Sequence, residues 1–310
     1  MARGTGLRCK TGVMRELVIL GTASQVPTRT RNHNGYFLRW EREGILFDPG
    51  EGTQRQMTLA GVAASRITRI CLTHVHGDHC FGLPGVLSRM VLDGVASPVH
   101  LHYPASGEDV VRALASLATP GLDLQLHPHG EAGPIAPGID VEPLRHRIEA
   151  YGYRVTEPDG RTFLPERLTA LGIAGPEVGR LQREGSLGDV RLEDVSVHRP
   201  GRRFAFVMDT AVCDGAVALA EGADLLVTES TFRDEDAALA DQYLHLTAGQ
   251  AGALAGDGGA GTLVLTHFSS RYDDVAVLAE QAQVAAGSAD VIAASDLDRI
   301  AFPSRRPSAA

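Results

Sequence analysis

Lysine is almost missing from this 310-residue chain: Lys10 stands alone, and arginine carries the rest of its positive charge. Every basic contact beyond the first residues must then be made by a guanidinium, so an arginine where a related chain has lysine carries little information. Cysteine is scarce as well, and Cys9, Cys71, Cys80 and Cys213 show no paired spacing, which excludes a disulfide framework and points to a reducing compartment. No apolar run is long enough to cross a bilayer and the N-terminus lacks the core of a signal peptide, so the expectation is a soluble cytoplasmic protein without a membrane partner. The formal net charge of -9 argues, as a sum, against a nucleic-acid partner. Its distribution argues otherwise: residues 145 to 206 hold 11 arginines against 9 acidic residues, a net +2, which leaves -11 on the remainder. An acidic body with a mildly positive segment suits local binding of one nucleic acid, and equally an ordinary mixed surface.

What the chain does have is Thr73-His74-Val75-His76-Gly77-Asp78-His79, three imidazoles and a carboxylate within six residues. The residues before it, Ile67 to Thr73, alternate loosely and are rich in branched side chains, so they read as a buried strand that delivers the cluster at its C-terminal end. Gly77 permits a tight turn, from which His74 and His76 reach one metal ion while Asp78 and His79, pointing the other way, reach a second. A structural zinc site is the competing reading, but such sites are usually closed by cysteines at short spacing, and this cluster has none.

Residues 1–14 have no periodicity and read as a disordered leader or as sequence upstream of a start at Met14. From Arg15 to about residue 303 strands and helices alternate, and 304–310 form a tail. Tyr36 to Trp40 and Ile45 to Asp48 flank Glu41-Arg42-Glu43-Gly44 as a hairpin; Leu83 to Leu92 and Glu108 to Ala118 read as helices. Strands are expected at Phe204 to Met208, Leu225 to Thr228, Leu263 to Thr266 and Val291 to Ala293, with helices at about 212–221, 247–255 and 274–286. Candidate ligands follow strand ends in both halves, which suits a site between two packed sheets. Tyr151 to about Arg203 breaks the rhythm; its glycines, prolines and charges offer little core surface, so this stretch is expected to protrude or move.

His-x-His-x-Asp-His is complete here and is the signature of the metallo-β-lactamase superfamily. Gly21-Thr22-Ala23-Ser24-Gln25-Val26-Pro27, Asp48-Pro49-Gly50-Glu51-Gly52-Thr53-Gln54, His79-Cys80-Phe81-Gly82-Leu83-Pro84-Gly85 and Thr266-His267-Phe268-Ser269-Ser270-Arg271-Tyr272 together resemble the ribonuclease Z family, endonucleases that mature tRNA 3′ ends. The similarity runs from Arg15 to Phe302, with the motifs in the family's order.

The resemblance implies an α/β fold, the four-layered αβ/βα sandwich of the superfamily, with a protruding arm inserted at about 155–200. It implies two Zn2+ per subunit, although imidazole and carboxylate accept Mn2+ or Fe2+ too. His146 matches the third imidazole of the first metal, Asp209 the carboxylate bridging both, and His267 the last imidazole of the second, completing the set His74, His76, Asp78, His79. Two close zinc ions lower the pKa of a shared water, and hydroxide attack on phosphorus would leave a tRNA 3′-hydroxyl and a trailer with 5′-phosphate. Asp78 is implied to orient or deprotonate the nucleophile; Glu229 and His245, which match the family's His-Glu-Ala-Thr and His-Ser-Thr elements, form a carboxylate–imidazole pair suited to protonating the leaving oxygen. Thr228 stands where the family often has histidine. Pro27-Thr28-Arg29-Thr30-Arg31-Asn32 resembles the loop that senses residues after the discriminator base, so Arg29 and Arg31 are expected to touch substrate, and Ser269, Ser270 and Arg271 a phosphate. In the arm, Gly175-Pro176 and Leu181-Gln182-Arg183-Glu184-Gly185 look like the elements that clamp the tRNA elbow, which assigns Gly175, Pro176 and Arg183 to precursor tRNA. Family members are typically homodimers in which one subunit's arm presents tRNA to the other, and an apolar face on Leu83 to Leu92 could serve either that interface or the core. The alternatives are another phosphodiesterase or esterase of the superfamily, against which the arm and the Glu229–His245 pair argue, and a catalytically silent RNA-binding paralogue, against which the intact ligand set argues.

Overall fold

Strands that are apolar without alternation need cover on both faces, and every residue of Leu225–Glu229 and Thr262–Thr266 is buried. In the computed structural model, which describes residues 15–118 and 120–304, that cover comes from two seven-stranded sheets packed face to face with helices outside both. The expected leader, 1–14, and the tail beyond residue 304 lie outside the described residues. The first sheet runs, edge to edge, Arg299–Ala301, Glu16–Gly21, Gly35–Trp40, Glu43–Phe47, Arg69–Cys71, Val99–Pro104, Leu124–His129. The second runs Asp290–Ala293, Thr262–Thr266, Leu225–Glu229, Arg203–Val207, Ala150–Thr156, Ile139–Leu144, Gly133–Ala136.

Aromatic rings fill the space between the sheets, where Phe47 stacks on Phe206 at 4.7 Å and meets Tyr153 edge-on at 5.8 Å. The outer face of the first sheet packs on Leu83, Val86, Leu87 and Met90 of helix Leu83–Leu92 and on Val111 of helix Glu108–Ser116. The apolar face of Leu83–Leu92 is therefore used by the core, with Leu92 left exposed. The second sheet packs on helices Asp214–Ala220, Ala248–Asp257 and Ala276–Ala285.

Three local departures from the sequence reading have physical causes. The hairpin turn is Glu41-Arg42 alone, because Trp40 pairs with Glu43; Glu41 supplies the positive φ, 56°, that so short a turn requires. The strand before the histidine cluster is only Arg69–Cys71, since Thr73 spends its backbone N–H and hydroxyl on Asp48 rather than on a ladder. The stretch after Thr156, expected to offer little core surface, has a small core of its own. Ile173, Leu181 and Val195 are buried there against Phe163, Leu168 and Leu192, gathered by the antiparallel pair of Gly160–Phe163 with Ser196–Arg199 and the helices Pro165–Ala170 and Pro176–Glu184 between them. Those apolar residues fall at no single period, so no window of sequence displays them as one face.

Parallel pairing places the chemistry. Glu43–Phe47 runs parallel to Arg69–Cys71, and Arg203–Val207, Leu225–Glu229 and Thr262–Thr266 are mutually parallel, so their C-terminal ends open at one rim with Asp48, Thr73, Asp209, Glu229 and His267 at or just after them. Asp48, Asp209 and His267 take positive φ of 43°, 33° and 58°. Such backbone costs about 1–3 kcal/mol per residue and persists only where the surroundings over-determine it.

Candidate metal centre

The imidazoles predicted as ligands converge at the sheet rim, and all but His76 are held from behind. His74 Nδ1 lies 3.0 Å from Thr73 Oγ1, and that hydroxyl donates to Asp48 Oδ2. The hydroxyl proton being committed, His74 Nδ1 must carry the hydrogen and Nε2 a lone pair. His79 Nδ1 bonds Asp48 Oδ2 directly at 2.8 Å. The other half of the sandwich repeats the device: the Thr231 hydroxyl donates to Glu229 Oε2 and accepts from His267 Nδ1 at 2.8 Å, while Glu229 Oε1 takes His245 Nδ1 at 2.9 Å. One buried acid in each half thus orients one imidazole directly and a second through a threonine. His146 Nδ1 is set by the Leu244 carbonyl at 3.3 Å, and His76 alone presents Nδ1 inward.

The inward atoms are acceptors facing acceptors. His74 Nε2 is 2.9 Å and His146 Nε2 3.3 Å from His76 Nδ1, and Asp209 Oδ2 lies 3.6 and 3.8 Å from the Nε2 atoms of His74 and His146. On the other side, Asp209 Oδ1 is 3.3 Å from His79 Nε2 and 3.1 Å from His267 Nε2, and Asp78 Oδ2 is 3.4 and 3.6 Å from the same atoms. Asp209 Oδ1 and His267 Nε2 are buried without a hydrogen-bond partner. Converging lone pairs on nitrogen and oxygen, met by few donors beyond the Gln25 N–H on Asp78 Oδ2 and the Asn34 amide beside His79 Nε2, fit cations. The residues divide into two ligand groups, His74, His76, His146 and Asp209 on one side and Asp78, His79 and His267 on the other, with Asp209 placed to bridge them. Asp209, His245 and His267 form a third, overlapping group.

Electrostatics agree with that division. Burial pushes His74 far below its ordinary pKa, reinforced by charge on His79, so it stays neutral and ligating. Burial alone would raise Asp209 and Asp78, but the neighbouring imidazoles, His267 and His79 foremost, hold both carboxylates well below the usual range. His79 and His245 are the exceptions among the rings: burial would lower both, yet the carboxylates of Asp209 and Asp78 raise His79, and those of Glu229 and Asp209 lift His245 to about 9. The His245 Nε2, 4.0 Å from Asp209 Oδ2, faces an open pocket of about 550 Å³.

The remaining expected site residues separate. Ser269, Ser270 and Arg271 line the pocket, with the Arg271 guanidinium 5.8 Å over the Phe232 ring. Arg31 is turned inward: its guanidinium donates to the carbonyls of Ser269 at 3.2 Å and Tyr272 at 2.8 Å and ties two rim loops together. Arg29 is exposed and outside the pocket lining. Gly175, at the N-cap of Pro176–Glu184 with φ 57°, and Pro176 are exposed at the start of that helix, and Arg183 is exposed further along it. Sequence reading assigned no role to Asp48, Thr73 or Thr231, the groups that fix ring orientation; Asp48 and Thr73 lie inside motifs already quoted, and only the contacts of the three distinguish them.

The comparisons agree with this geometry. The Metallo-beta-lactamase superfamily model matches residues 28–179, and a Beta-lactamase superfamily domain model matches 182–268. The chain is similar to ribonuclease Z of Streptomyces coelicolor, 56% identical over 299 residues, covering 94% of this chain and 99% of that one. Ribonuclease Z of Chlamydia pneumoniae is 42% identical over 83% of this chain and 87% of its own. Among solved structures, the short form of human tRNase Z matches with a TM-score of 0.65 at 27% identity, over 93% of this chain and 99% of that one. Relatives of such identity over nearly the whole length, together with a two-group ligand centre at the sheet rim, place this chain in the ribonuclease Z family of the metallo-β-lactamase superfamily.

Proposed function

We propose that this chain is a zinc-dependent endoribonuclease that removes 3′ trailers from precursor tRNA by phosphodiester hydrolysis, leaving a tRNA 3′-hydroxyl and a trailer 5′-phosphate. The observation that carries the reaction is the juxtaposition, across one pocket, of the converging ligand set with the His245–Glu229 pair. Two zinc ions held by His74, His76, His146, Asp209 and by Asp78, His79, His267 would supply the positive charge that acidifies water and neutralises developing charge on phosphate oxygens.

The chain's own groups divide the rest of the work. Glu229 fixes the hydrogen on His245 Nδ1 and favours the imidazolium, so His245 Nε2 can hand a proton to the departing 3′-oxygen. Asp78 Oδ2 accepts from the Gln25 backbone N–H at 2.8 Å, which leaves Oδ1 to orient the attacking water. Arg271, Ser269 and Ser270 stand where a phosphate would enter, and Arg31 holds their loop in place. The segment from about 157 to 202 supplies a second RNA contact through Arg183 beside Gly175-Pro176, in a homodimer where one subunit's arm serves the partner's pocket. A superfamily phosphodiesterase for small substrates would have no use for that segment.

End chemistry tests the reading. A transcript with a 3′ trailer should yield a trailer fragment that a 5′-monophosphate-dependent exonuclease degrades and a tRNA body that accepts ligation at its 3′-hydroxyl. A 2′,3′-cyclic phosphate on the tRNA body would contradict water as the nucleophile.

A further inference from the structure

Of nine phenylalanines, six tyrosines and one tryptophan, Phe81 alone is exposed among the described residues. It keeps 60% of its surface open, and it does so at the mouth of the metal-centre pocket rather than on an outer helix. The Phe81 N–H closes the short turn Gly77–Cys80 on the Gly77 carbonyl, and the ring lies so close over Gly77 that a Cβ there would come within 2.4 Å of it. The ring thus packs one side against the Gly77 backbone, and among the described residues no other ring or guanidinium covers its open face. Val26, itself 52% exposed, lines the same pocket and is carried by the Gln25 segment that is tied to Asp78.

The surroundings say what such a platform takes. Asp78, three residues before Phe81, is a ligand of the second group, and Arg147 and Arg271 line the same pocket. A flat apolar face beside guanidinium groups and a phosphate-binding centre matches one nucleotide: base on ring, phosphates on cations. We propose that Phe81, with Val26 lining the same pocket, is a stacking platform for the base of a nucleotide adjoining the scissile phosphate. The platform rests on the reading of the pocket as a ribonuclease site and adds to it the residue that grips the single strand. It is sequence-tolerant by nature, because every base offers a π-face.

The test is single-turnover and steady-state cleavage of a 3′-extended precursor tRNA by wild type and by Phe81→Ala, Phe81→Leu and Phe81→Trp. Each enzyme is also given substrates abasic at the nucleotide just before or just after the cut. Ala and Leu should lower kcat/KM by about tenfold, the loss of one base–aromatic stack, and Trp should retain it. Leu is the discriminating variant, since it keeps apolar packing over Gly77 without a π-face. On one of the two abasic substrates the variants and wild type should converge, which names the stacked base. Equal cleavage by wild type and Phe81→Leu, or a deficit that persists on both abasic substrates, overturns the platform while leaving the ribonuclease reading intact. Wild type that leaves every transcript uncut overturns both.

Discussion

Thr231→Val isolates the threonine relay at the metal centre, because valine matches threonine in shape and removes only the hydroxyl. Thr231 is 2% exposed, so water cannot replace what is lost. Its Oγ1 gives the proton that Glu229 Oε2 accepts and takes the one on His267 Nδ1 at 2.8 Å. Removing it strands one ionised acceptor and one donor, each buried, at about 1–3 kcal/mol apiece. Glu229 keeps the Thr210 backbone N–H at 2.6 Å and His245 at 2.9 Å, which limits the net cost to about 2–4 kcal/mol. The larger effect falls on His267, which loses the group that fixes its tautomer; loss of such an orienting partner typically weakens metal affinity by about 10–100-fold. Zinc titration against a chromophoric chelator should show one of two sites weakened by that factor and the other unchanged, with Thr231→Ser close to wild type. Wild-type affinity at both sites in Thr231→Val would refute the relay.

Three further outcomes follow from the structure. His245→Asn should retain zinc and fold yet lose about 10²–10⁴ in turnover of precursor tRNA, and near wild-type turnover would remove His245 from proton transfer. His129 and His102 sit away from the metal ligands, buried, with pKa values pushed from 6.5 down to about 4 and about 3; burial is the main cause for both, and for His102 the Arg69 charge adds to it. The folded state then binds fewer protons than the unfolded one below pH 6.5, so stability present above that pH is lost as pH falls, by about 1.4 kcal/mol per unit for each ring. His129→Phe should lessen the drop in urea midpoint between pH 7 and 5; an unchanged drop would assign it elsewhere. Replacing residues 160–198 by a short glycine linker should spare hydrolysis of a small activated phosphodiester while abolishing tRNA cleavage, and loss of both would show that the segment supports the fold rather than the substrate.

What was legible in the sequence was whatever is written as period or as spacing. The alternating strands and helices, and the His-x-His-x-Asp-His cluster at a strand end, survive into the structure with boundary shifts of a few residues. His146, Asp209, Glu229, His245 and His267 each look like ordinary strand-end residues on their own, and only likeness to a family assembled them; the structure brings all of them to one rim. Asp48 and Thr231 were illegible as functional groups because a carboxylate or hydroxyl behind an imidazole is defined by a contact across 31 or 36 residues, not by its neighbours in sequence. Arg31 misled in the opposite sense: a charged residue in a turn reads as available to solvent, yet its guanidinium is committed to the backbone of Ser269 and Tyr272. The second small core was missed because its apolar residues are sparse and irregularly spaced.

The central claim is tested most directly by incubating purified protein with a 3′-extended precursor tRNA transcript, alongside a small phosphodiester, before and after metal is stripped and zinc returned. The account predicts a single cut just after the discriminator base, lost on stripping and restored by zinc. Turnover of the small phosphodiester with the transcript left whole would contradict it.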